Sequence, residues 1–329
     1  MTRVPDTDLA VAAAGLVKTF GDFRAVDGID LEVRRGEVFG VLGPNGAGKT
    51  TTLKMLATLL PMDGGEASIF GVDVRRNPHM IRQLVGVTGQ YASVDENLTG
   101  HENLWLFGRL QGLSSSRAKA MAADLLERFG LAEARDKQIS AFSGGMRRRL
   151  DLAASLISQP PLIFLDEPTT GLDPRTRGQM WDTIRDLVRG GSTVLLTTQY
   201  LDEADQLAGR IAVIDRGIKV GEGTPDELKT SVGSSTLQLR MSDPAETADA
   251  AAVVRRVLDE EPVLTPEAGG MNAALPDANR AADVLIALRQ SGLSIASATV
   301  QKPTLDEVFM AITGHSAEDE TDAEMEVAR

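Results

Sequence analysis

The stretch Gly43-Pro44-Asn45-Gly46-Ala47-Gly48-Lys49-Thr50 decides the fold of this chain. It fits the form G-x-x-x-x-G-K-[ST], in which glycines allow the backbone to curl with its N–H groups facing phosphate. Lys49 is placed to reach the β- and γ-phosphates, and the Thr50 hydroxyl to bind Mg²⁺. The apolar run 37–42 predicts a strand entering this loop, and residues 51–57 predict a helix whose N-terminus points at the phosphates. A glycine-rich turn that matches by chance is the alternative, but the flanking strand and helix favour a nucleoside triphosphate site.

The composition indicates a chain of two domains without disulfides. Its 329 residues are 42% hydrophobic, which is enough for substantial cores. Cysteine is absent, so disulfides, thiolate metal sites and cysteine nucleophiles are excluded, and a reducing cytoplasm is compatible. No apolar run reaches the roughly 18 residues that a membrane span needs, and residues 1–8 lack the features of a signal peptide. We therefore expect no membrane-spanning segment.

The charge is acidic and unevenly distributed. The net charge of −13 argues against nonspecific binding to nucleic acid. Residues 1–230 carry 27 basic and 30 acidic side chains (net −3), whereas residues 231–329 carry 7 and 17 (net −10). This asymmetry predicts two units, a nucleotide-binding domain over 1–229 and a small α+β domain over 230–314. The acidic tail 315–329 is expected to be disordered.

Apolar runs predict the strands of a mostly parallel sheet. The runs 162–167 and 193–198 have the composition of strands buried on both faces. Residues 210–215 are expected to close the sheet. Residues 82–90 are predicted to form a strand that ends on the amide of Gln90, and 97–137 to be helical.

Phe20 precedes a predicted turn at 21–22, between short strands within residues 9–35. Its ring can stack on a purine base, or it can be an ordinary half-buried aromatic side chain. The residue by itself favours neither interpretation.

Two carboxylates, Asp166 and Glu167, end the strand at 162–167. Because ligands of open α/β sheets bind at the carboxyl ends of the strands, both acids are expected at the nucleotide. Asp166 would hold Mg²⁺ through its water shell, and Glu167 would orient or deprotonate the attacking water. A strand that merely ends in an acidic turn is the alternative. Gln199 ends the strand 193–198 in the same way.

Ser143-Gly144-Gly145 precedes a predicted helix over 147–154. Serine and glycines at a helix start form an N-cap with open amides, which is a possible second anion site. This signal is weak alone, because glycine before a helix is common. The run Arg147, Arg148 and Arg149 is interpreted as a solvated helix face.

Taken together, these motifs resemble the ATP-binding subunit of ABC transporters over residues 9–229. The resemblance rests on GPNGAGKT (43–50), Gln90, SGGM (143–146), LIFLDE (162–167), GLD (171–173) and Gln199 after TVLLTT. It implies a P-loop NTPase fold of the α/β class, with a RecA-like core and a helical subdomain at 91–160. It also implies a homodimer that forms head to tail around ATP.

The same resemblance implies the roles of individual residues. ATP would lie between the phosphate loop of one copy, followed by Thr51, and Ser143, Gly144 and Gly145 of the other. Phe20 would stack on adenine, and Asp173 would belong to the nucleotide site. Thr50, Gln90 and Asp166 would surround Mg²⁺, and Glu167, Gln199 and Lys49 would carry the catalysis. Gln90 and the helices near 91–110 would also respond to an integral-membrane permease.

A closer resemblance is to the daunorubicin-resistance type of exporter ATPase, based on residues 87–100, 142–153 and 197–205. It implies a C-terminal domain with a regulatory or dimer-stabilising role. Met146 and Gln199 depart from the wider family, which has glutamine and a switch histidine at these places. Gln199 can hydrogen-bond a γ-phosphate but cannot become a cation. We therefore expect intact ATP binding and slow basal hydrolysis.

The expected function is an ATPase that drives export of a drug, antibiotic or lipid-like substrate through a separate permease, from the cytoplasmic face of the cell membrane. One alternative is a non-transport ABC ATPase acting on the ribosome or DNA. Such proteins usually have two cassettes or long coiled coils, which this chain lacks. The other alternative is a protein that sequesters drug with ATP as a mere ligand. Glu167 argues against it, because pure binding needs no water-orienting acid.

Overall fold

A computed structural model describes residues 8–88, 94–232, 235–275, 277 and 279–313. The chain divides into two compact units, and the boundary lies between Pro225 and Asp226. Neither unit contains, in its described residues, a helix with the length and apolar character needed to cross a membrane.

The first unit alternates strands and helices along the chain. Its strands are β1 (Leu9–Phe20), β2 (Phe23–Arg34), β3 (Val38–Leu42), β4 (Gly64–Ile69), β5 (Val72–Asp73), β6 (Val85–Thr88), β7 (Leu162–Asp166), β8 (Thr193–Thr198), β9 (Arg210–Asp215) and β10 (Ile218–Gly223). Its helices are α1 (Lys49–Leu56), α2 (Pro78–Leu84), α3 (Gly100–Leu110), α4 (Ser115–Arg128), α5 (Gly144–Ser155), α6 (Pro174–Arg189) and α7 (Leu201–Leu207). Short 3₁₀ turns at Ala132–Ala134 and Ile139–Ala141 lie between α4 and α5.

A central sheet with the strand order β10-β9-β3-β8-β7-β6 positions the motifs. Its strands are parallel except β10, which pairs antiparallel with β9. The prediction that 210–215 closes the sheet was therefore wrong, because the chain turns at Arg216-Gly217 and adds β10 at that edge. Leu42 is paired with Thr198, and Thr197 with Asp166. The carboxyl ends of β3, β8 and β7 therefore lie side by side.

The pleat of the central strands separates two hydrophobic cores. Leu162 and Phe164 of β7 are buried in one core, together with side chains of β1, β2, β3 and α1. Ile163 and Leu165 alternate with them and are buried in the other core, with side chains of α3, α4, α5 and α6. Because successive side chains of a strand point to opposite faces, one buried strand contributes to both cores.

A second sheet, antiparallel and ordered β2-β1-β4-β5, lies in the same unit. The turn predicted at 21–22 is confirmed, since Phe20 pairs with Phe23 across it. The strands on either side are longer than the short ones predicted.

The predicted strand at 82–90 was wrong at its start. Residues 82–84 form the last turn of α2, which begins at Pro78 and buries Ile81 and Leu84 on one face. Proline suits the first turn of a helix, and a spacing of three residues suits one helical face. Only Val85–Thr88 forms the strand β6, and Gln90 lies outside the described residues.

The predicted helical stretch 97–137 is divided by a turn. Thr99 caps α3 in a capping box with Glu102, and the Ser114 hydroxyl caps α4. Gly112 lies between these helices with a φ of +86°, a conformation that ends α3.

The second unit is a small α+β fold, as predicted for the C-terminal region. Its elements are α8 (Pro225–Val232), β11 (Ser235–Met241), α9 (Thr247–Leu258), β12 (Val263–Leu264), β13 (Gly270–Leu275), α10 (Arg280–Gln290), β14 (Ile295–Gln301) and α11 (Leu305–Thr313), with a 3₁₀ turn at Pro244–Glu246. The sheet order is β12-β13-β11-β14, and α9 and α10 pack on the buried face of β11 and β13. Thr304 caps α11 together with Glu307.

Candidate nucleotide site

The phosphate loop connects β3 to α1 and depends on two glycines. A Cβ at Gly43 would collide with the backbone of Ile214, and a Cβ at Gly48 would collide with the Ala25 carbonyl. Gly48 also has a φ of +98°, which side chains other than glycine rarely adopt. The amide of Gly217 donates to the Ala47 carbonyl at 3.0 Å, so the β9–β10 turn supports the loop.

The helix α1 begins at Lys49, directly after Gly48, which has no side chain to cap it. The first turn of a helix leaves N–H groups without intrahelical partners and carries a partial positive charge. No acidic side chain stands in that turn, and Thr50 and Thr51 occupy it. This end of α1 is therefore suited to an anion.

Lys49 is buried beneath the loop, with 5% of its surface exposed. Its Nζ donates to the Gly43 and Pro44 carbonyls, both at 2.8 Å, and lies 3.6 Å from Oε1 of Glu167. The phosphate loop and the carboxylates at the end of β7 are thus in direct electrostatic contact.

Asp166 is held by two hydroxyl groups. Its Oδ1 accepts hydrogen bonds from Thr50 at 2.7 Å and from Thr197 at 2.6 Å. Thr50 comes from the start of α1 and Thr197 from β8, so three elements converge on one carboxylate oxygen. Hydrogen bonds to a carboxylate are stronger than hydrogen bonds between neutral groups, and these two fix the orientation of the Asp166 side chain.

Glu167 follows β7 in a left-handed backbone conformation, with a φ of +48°. Its N–H donates to the Thr197 carbonyl at 3.0 Å, and Thr170 Oγ1 donates to its Oε2 at 3.2 Å. Left-handed conformations are uncommon for residues other than glycine and persist where the surroundings enforce them. The turn aims the Glu167 side chain at Lys49.

Ser143, Gly145 and Asp173 form a second group at the starts of α5 and α6. Ser143 caps α5 by accepting from the Met146 amide at 3.3 Å, and Gly144 is exposed beside it. A Cβ at Gly145 would collide with the side chain of Thr176 on α6. Asp173 caps α6 by accepting from the Thr176 amide and hydroxyl, and these hydrogen bonds lower the pKa of the Asp173 carboxyl.

Gln199 and Phe20 are the remaining predicted site residues with described positions. Gln199 is half-buried and follows β8 directly, at the edge of the sheet where β3 and β7 also end. Phe20 is the last residue of β1, with 49% of its surface exposed, and its ring centroid lies 5.4 Å from Nζ of Lys18. An exposed ring remains accessible to a ligand.

Known proteins share both units of this chain. Residues 26–170 match the family model for ABC transporters, and residues 223–313 match the model for the C-terminal domain of DrrA1-3-like ATP-binding proteins. The daunorubicin/doxorubicin resistance ATP-binding protein DrrA of Streptomyces peucetius is 53% identical over 315 residues, which covers 96% of each chain. The chain belongs to the DrrA-like family of ABC transporter ATP-binding proteins.

Two further similarities concern the wider ABC class. The Nod factor export ATP-binding protein I of Burkholderia lata is 44% identical over 233 residues, covering 70% of this chain and 77% of that protein. A crystal structure of the ADP conformation of an ABC transporter's ATP-binding cassette is 25% identical, with a TM-score of 0.59, covering 67% of this chain and 93% of that one. The predicted family and P-loop ABC cassette fold are confirmed. As a member of the DrrA-like family, the chain is a nucleotide-binding ATPase.

Arg148 is a residue of the ABC cassette that the sequence interpretation missed. The predicted solvated face holds for Arg147, which pairs with exposed Glu96, but was wrong for Arg148. The Arg148 guanidinium donates to the carbonyls of Asp166 at 2.7 Å, Glu167 at 3.0 Å and Pro168 at 3.1 Å. Burial lowers the pKa of Arg148, while nearby carboxylates favour its charged form. Arg149 also turns inward and donates to the Phe129 carbonyl at 3.1 Å.

Glu203 is the second residue that was missed. It is fully buried, and its Oε1 accepts from the hydroxyl of Thr169 at 2.8 Å and from the indole of Trp181 at 3.2 Å. Burial raises the pKa of the Glu203 carboxyl above its ordinary value, although the surrounding donors favour the ionised form. The sequence signal that could have indicated its burial is its place on α7, beside the buried stripe of Leu201 and Ala204.

Proposed function

We propose that this chain is the ATP-hydrolysing subunit that powers efflux of a drug, antibiotic or lipid-like substrate through a separate integral-membrane permease. The support is that a drug-resistance ATP-binding protein is similar to nearly the whole chain and a Nod factor export protein is similar to part of it. The chain would act at the cytoplasmic face of the cell membrane. The α3 region and Gln90 would respond to the permease.

The observation that carries this proposal is the convergence of Lys49, Thr50, Asp166 and Glu167. Nζ of Lys49 lies 3.6 Å from Glu167, and the Thr50 hydroxyl lies 2.7 Å from Asp166. The loop from Gly43 to Thr50 and the following Thr51 would surround the ATP phosphates, and Lys49 would pair with the β- and γ-phosphates. A phosphate-binding loop joined to two buried carboxylates is suited to hydrolysis rather than to binding alone.

The oxygen donors of Thr50 and Asp166 fit Mg²⁺. Mg²⁺ prefers hard oxygen ligands and takes one or two protein groups, with phosphates and water completing its shell. Thr50, Asp166 and Gln90 would hold it. The ion, when bound, would neutralise charge on the β- and γ-phosphate oxygens.

Glu167 would accept the proton of the attacking water. Its carboxylate is 9% exposed, and its orientation is set by Thr170 and by the left-handed turn of the backbone. Gln199 would donate a neutral hydrogen bond to the γ-phosphate from the end of β8. Phe20 would stack on the adenine ring.

Two copies of the chain would form a homodimer around two ATP molecules. Ser143, Gly144 and Gly145 of one copy would contact the ATP held by the phosphate loop of the other. The support is that Ser143 and Gly144 are exposed at the N-terminus of α5, where amides are open to an anion. Asp173 is exposed at the neighbouring start of α6 and would lie at the same interface.

The variant Glu167→Gln tests the proposed function. It should bind ATP but hydrolyse it very slowly, because an amide cannot serve as a base. The unhydrolysed ATP should hold the dimer together, so light scattering should report a dimer with ATP and a monomer without it. The exposed residue Glu127 on α4 offers a matched control, Glu127→Gln, which should behave as the wild type.

Three results would count against parts of this proposal. Normal turnover in Glu167→Gln would remove the role of Glu167 as a base. A monomer with and without ATP would contradict the dimer. Stoichiometric drug binding by the wild-type chain, with no stimulation of its ATPase by drug and permease, would favour the sequestering protein instead.

A further inference from the structure

One side chain, Arg148, binds the backbone of the whole turn that carries the two carboxylates. Its Nη2 donates to the Asp166 and Glu167 carbonyls, and its Nε donates to the Pro168 carbonyl. A guanidinium has a planar, rigid set of donors, so one arginine can satisfy three consecutive carbonyls. No solvated arginine on a helix surface would make such contacts.

The turn at Glu167 needs this support. A φ of +48° at a residue with a Cβ is a strained conformation, which the surrounding contacts must enforce. The Glu167 amide is fixed by Thr197, and the carbonyls on both sides of the strained residue are fixed by Arg148. Without Arg148 the turn would be free to relax, and Glu167 would lose its orientation towards Lys49.

Arg148 also lies on α5, the helix whose N-terminal end faces the proposed partner. It lies five residues after Ser143, which corresponds to about 7.5 Å along an α-helix. Ser143 caps α5 in an unbroken helix from Gly144 to Ser155. A displacement of the Ser143 end would therefore be transmitted along α5 to the guanidinium.

We propose that Arg148 is a positioning residue that couples the Ser143 end of α5 to Asp166 and Glu167 of the same copy. This inference rests on the ATP-bound dimer of the proposed function. Ser143 of one copy contacts the ATP of the second copy's loop, whereas Asp166 and Glu167 act on the ATP of their own loop. Arg148 therefore makes the carboxylates of one site sensitive to nucleotide in the other site.

The test compares three variants of the full chain by ATPase rate over a range of ATP concentrations. The wild type should show a Hill coefficient above one. Arg148→Gln should lower kcat about tenfold and bring the Hill coefficient to one, with unchanged affinity for a fluorescent ATP analogue. Arg148→Lys should recover part of the rate, since an ammonium retains donors but loses the fork. The neighbouring Arg147→Gln, which removes an exposed ion pair with Glu96, should match the wild type.

The outcomes separate this inference from the proposed function. A folded Arg148→Gln variant with the wild-type kcat and Hill coefficient would overturn the role of Arg148 alone. A wild-type Hill coefficient of one would overturn the coupling while leaving the ATPase intact. If Arg148→Gln fails to fold, Arg148→Lys provides the test. A wild-type Hill coefficient and a wild-type kcat in Arg148→Lys would contradict the need for the planar fork of the guanidinium. A monomeric Glu167→Gln protein in ATP would overturn the dimer, whatever the Arg148 variants do.

Discussion

Nζ of Lys49 lies 3.6 Å from Oε1 of Glu167, and both side chains are nearly inaccessible to solvent. The remaining donors of the ammonium are directed at the Gly43 and Pro44 carbonyls. A phosphate group entering the loop would compete for Lys49 and leave Glu167 available to water. The ion pair therefore keeps the base and the phosphate-binding cation in mutual reach before nucleotide arrives.

Lys49→Ala is expected to weaken ATP binding by about thirtyfold and to abolish transport. The loss corresponds to about 2 kcal/mol, the usual value of a hydrogen bond to a charged group. Titration calorimetry with ATP measures it. Lys54→Ala is the control, because Lys54 is exposed on the same helix. Normal affinity together with normal turnover in Lys49→Ala would refute the phosphate-loop assignment.

Thr197→Val is expected to lower the free energy of unfolding by about 2 kcal/mol and to slow hydrolysis, because Asp166 loses one of its two hydroxyl donors. Urea unfolding and ATPase rates measure the two effects. Thr193→Val is the matched control at the other end of β8. It loses a hydrogen bond from the Gly36 amide and should cost stability without changing turnover. Equal ATPase rates in both variants would show that Thr197 does not orient Asp166.

Gln199→His is expected to raise turnover modestly or to introduce an inflection at about pH 6.5, because histidine can become a cation beside phosphate. Gln199→Ala should lower turnover about fivefold, since a neutral hydrogen bond is worth about 1 kcal/mol. The wild type should show no inflection from this position. ATPase rates of the three proteins across the neutral pH range provide the comparison. Identical profiles would mean that Gln199 takes no part in the chemistry.

Glu203→Gln is expected to change how stability depends on pH. Burial raises the pKa of Glu203 in the folded state above its ordinary value of 4.5. The folded state therefore binds the proton of the Glu203 carboxyl more tightly than the unfolded state does. The contribution of Glu203 to the free energy of unfolding is fully present below pH 4.5, and it is lost as pH rises through the raised pKa. The free energy of unfolding of the wild type should fall relative to Glu203→Gln over that range.

The control for Glu203 is Asp202→Asn, which changes an exposed carboxylate on the same helix. The glutamine variant retains an oxygen for Thr169 and Trp181, so it removes the titration without emptying the site. Chemical unfolding at a series of pH values gives both curves. Parallel curves for the wild type and Glu203→Gln would show that Glu203 does not titrate differently on folding.

The parts of the fold that the sequence predicted correctly have local signals. The strand β7 begins with four apolar residues and ends at Asp166, β8 has an apolar centre at Val194–Leu196, and the phosphate loop carries glycines at 43, 46 and 48. The boundary between α2 and β6 was missed because residues 82–84 are compatible with either element locally. The buried face of α2, formed by Ile81 and Leu84, decides it.

The missed site residues act through contacts distant in sequence. Arg148 meets carbonyls 18 to 20 residues later, and Glu203 meets the Thr169 hydroxyl 34 residues earlier. An arginine in a run of three, or a glutamate near an apolar helix stripe, has the same local pattern whether it faces water or the protein interior. Only the contacts of α5 and α7 with the turn that follows β7 determine which occurs.

The separation of the two cores by the central strands has a consequence for how such a protein can change over evolutionary time. Substitutions among the side chains that share a core with Ile163 and Leu165 alter the packing of α3, α4 and α5, but they leave the opposite face of the same strands in place. Phe39 and Leu162 on that opposite face support the side of the sheet that carries α1. The packing of α3 and α4 can therefore be remodelled for a new partner while the phosphate loop and α1 keep the packing of the opposite core.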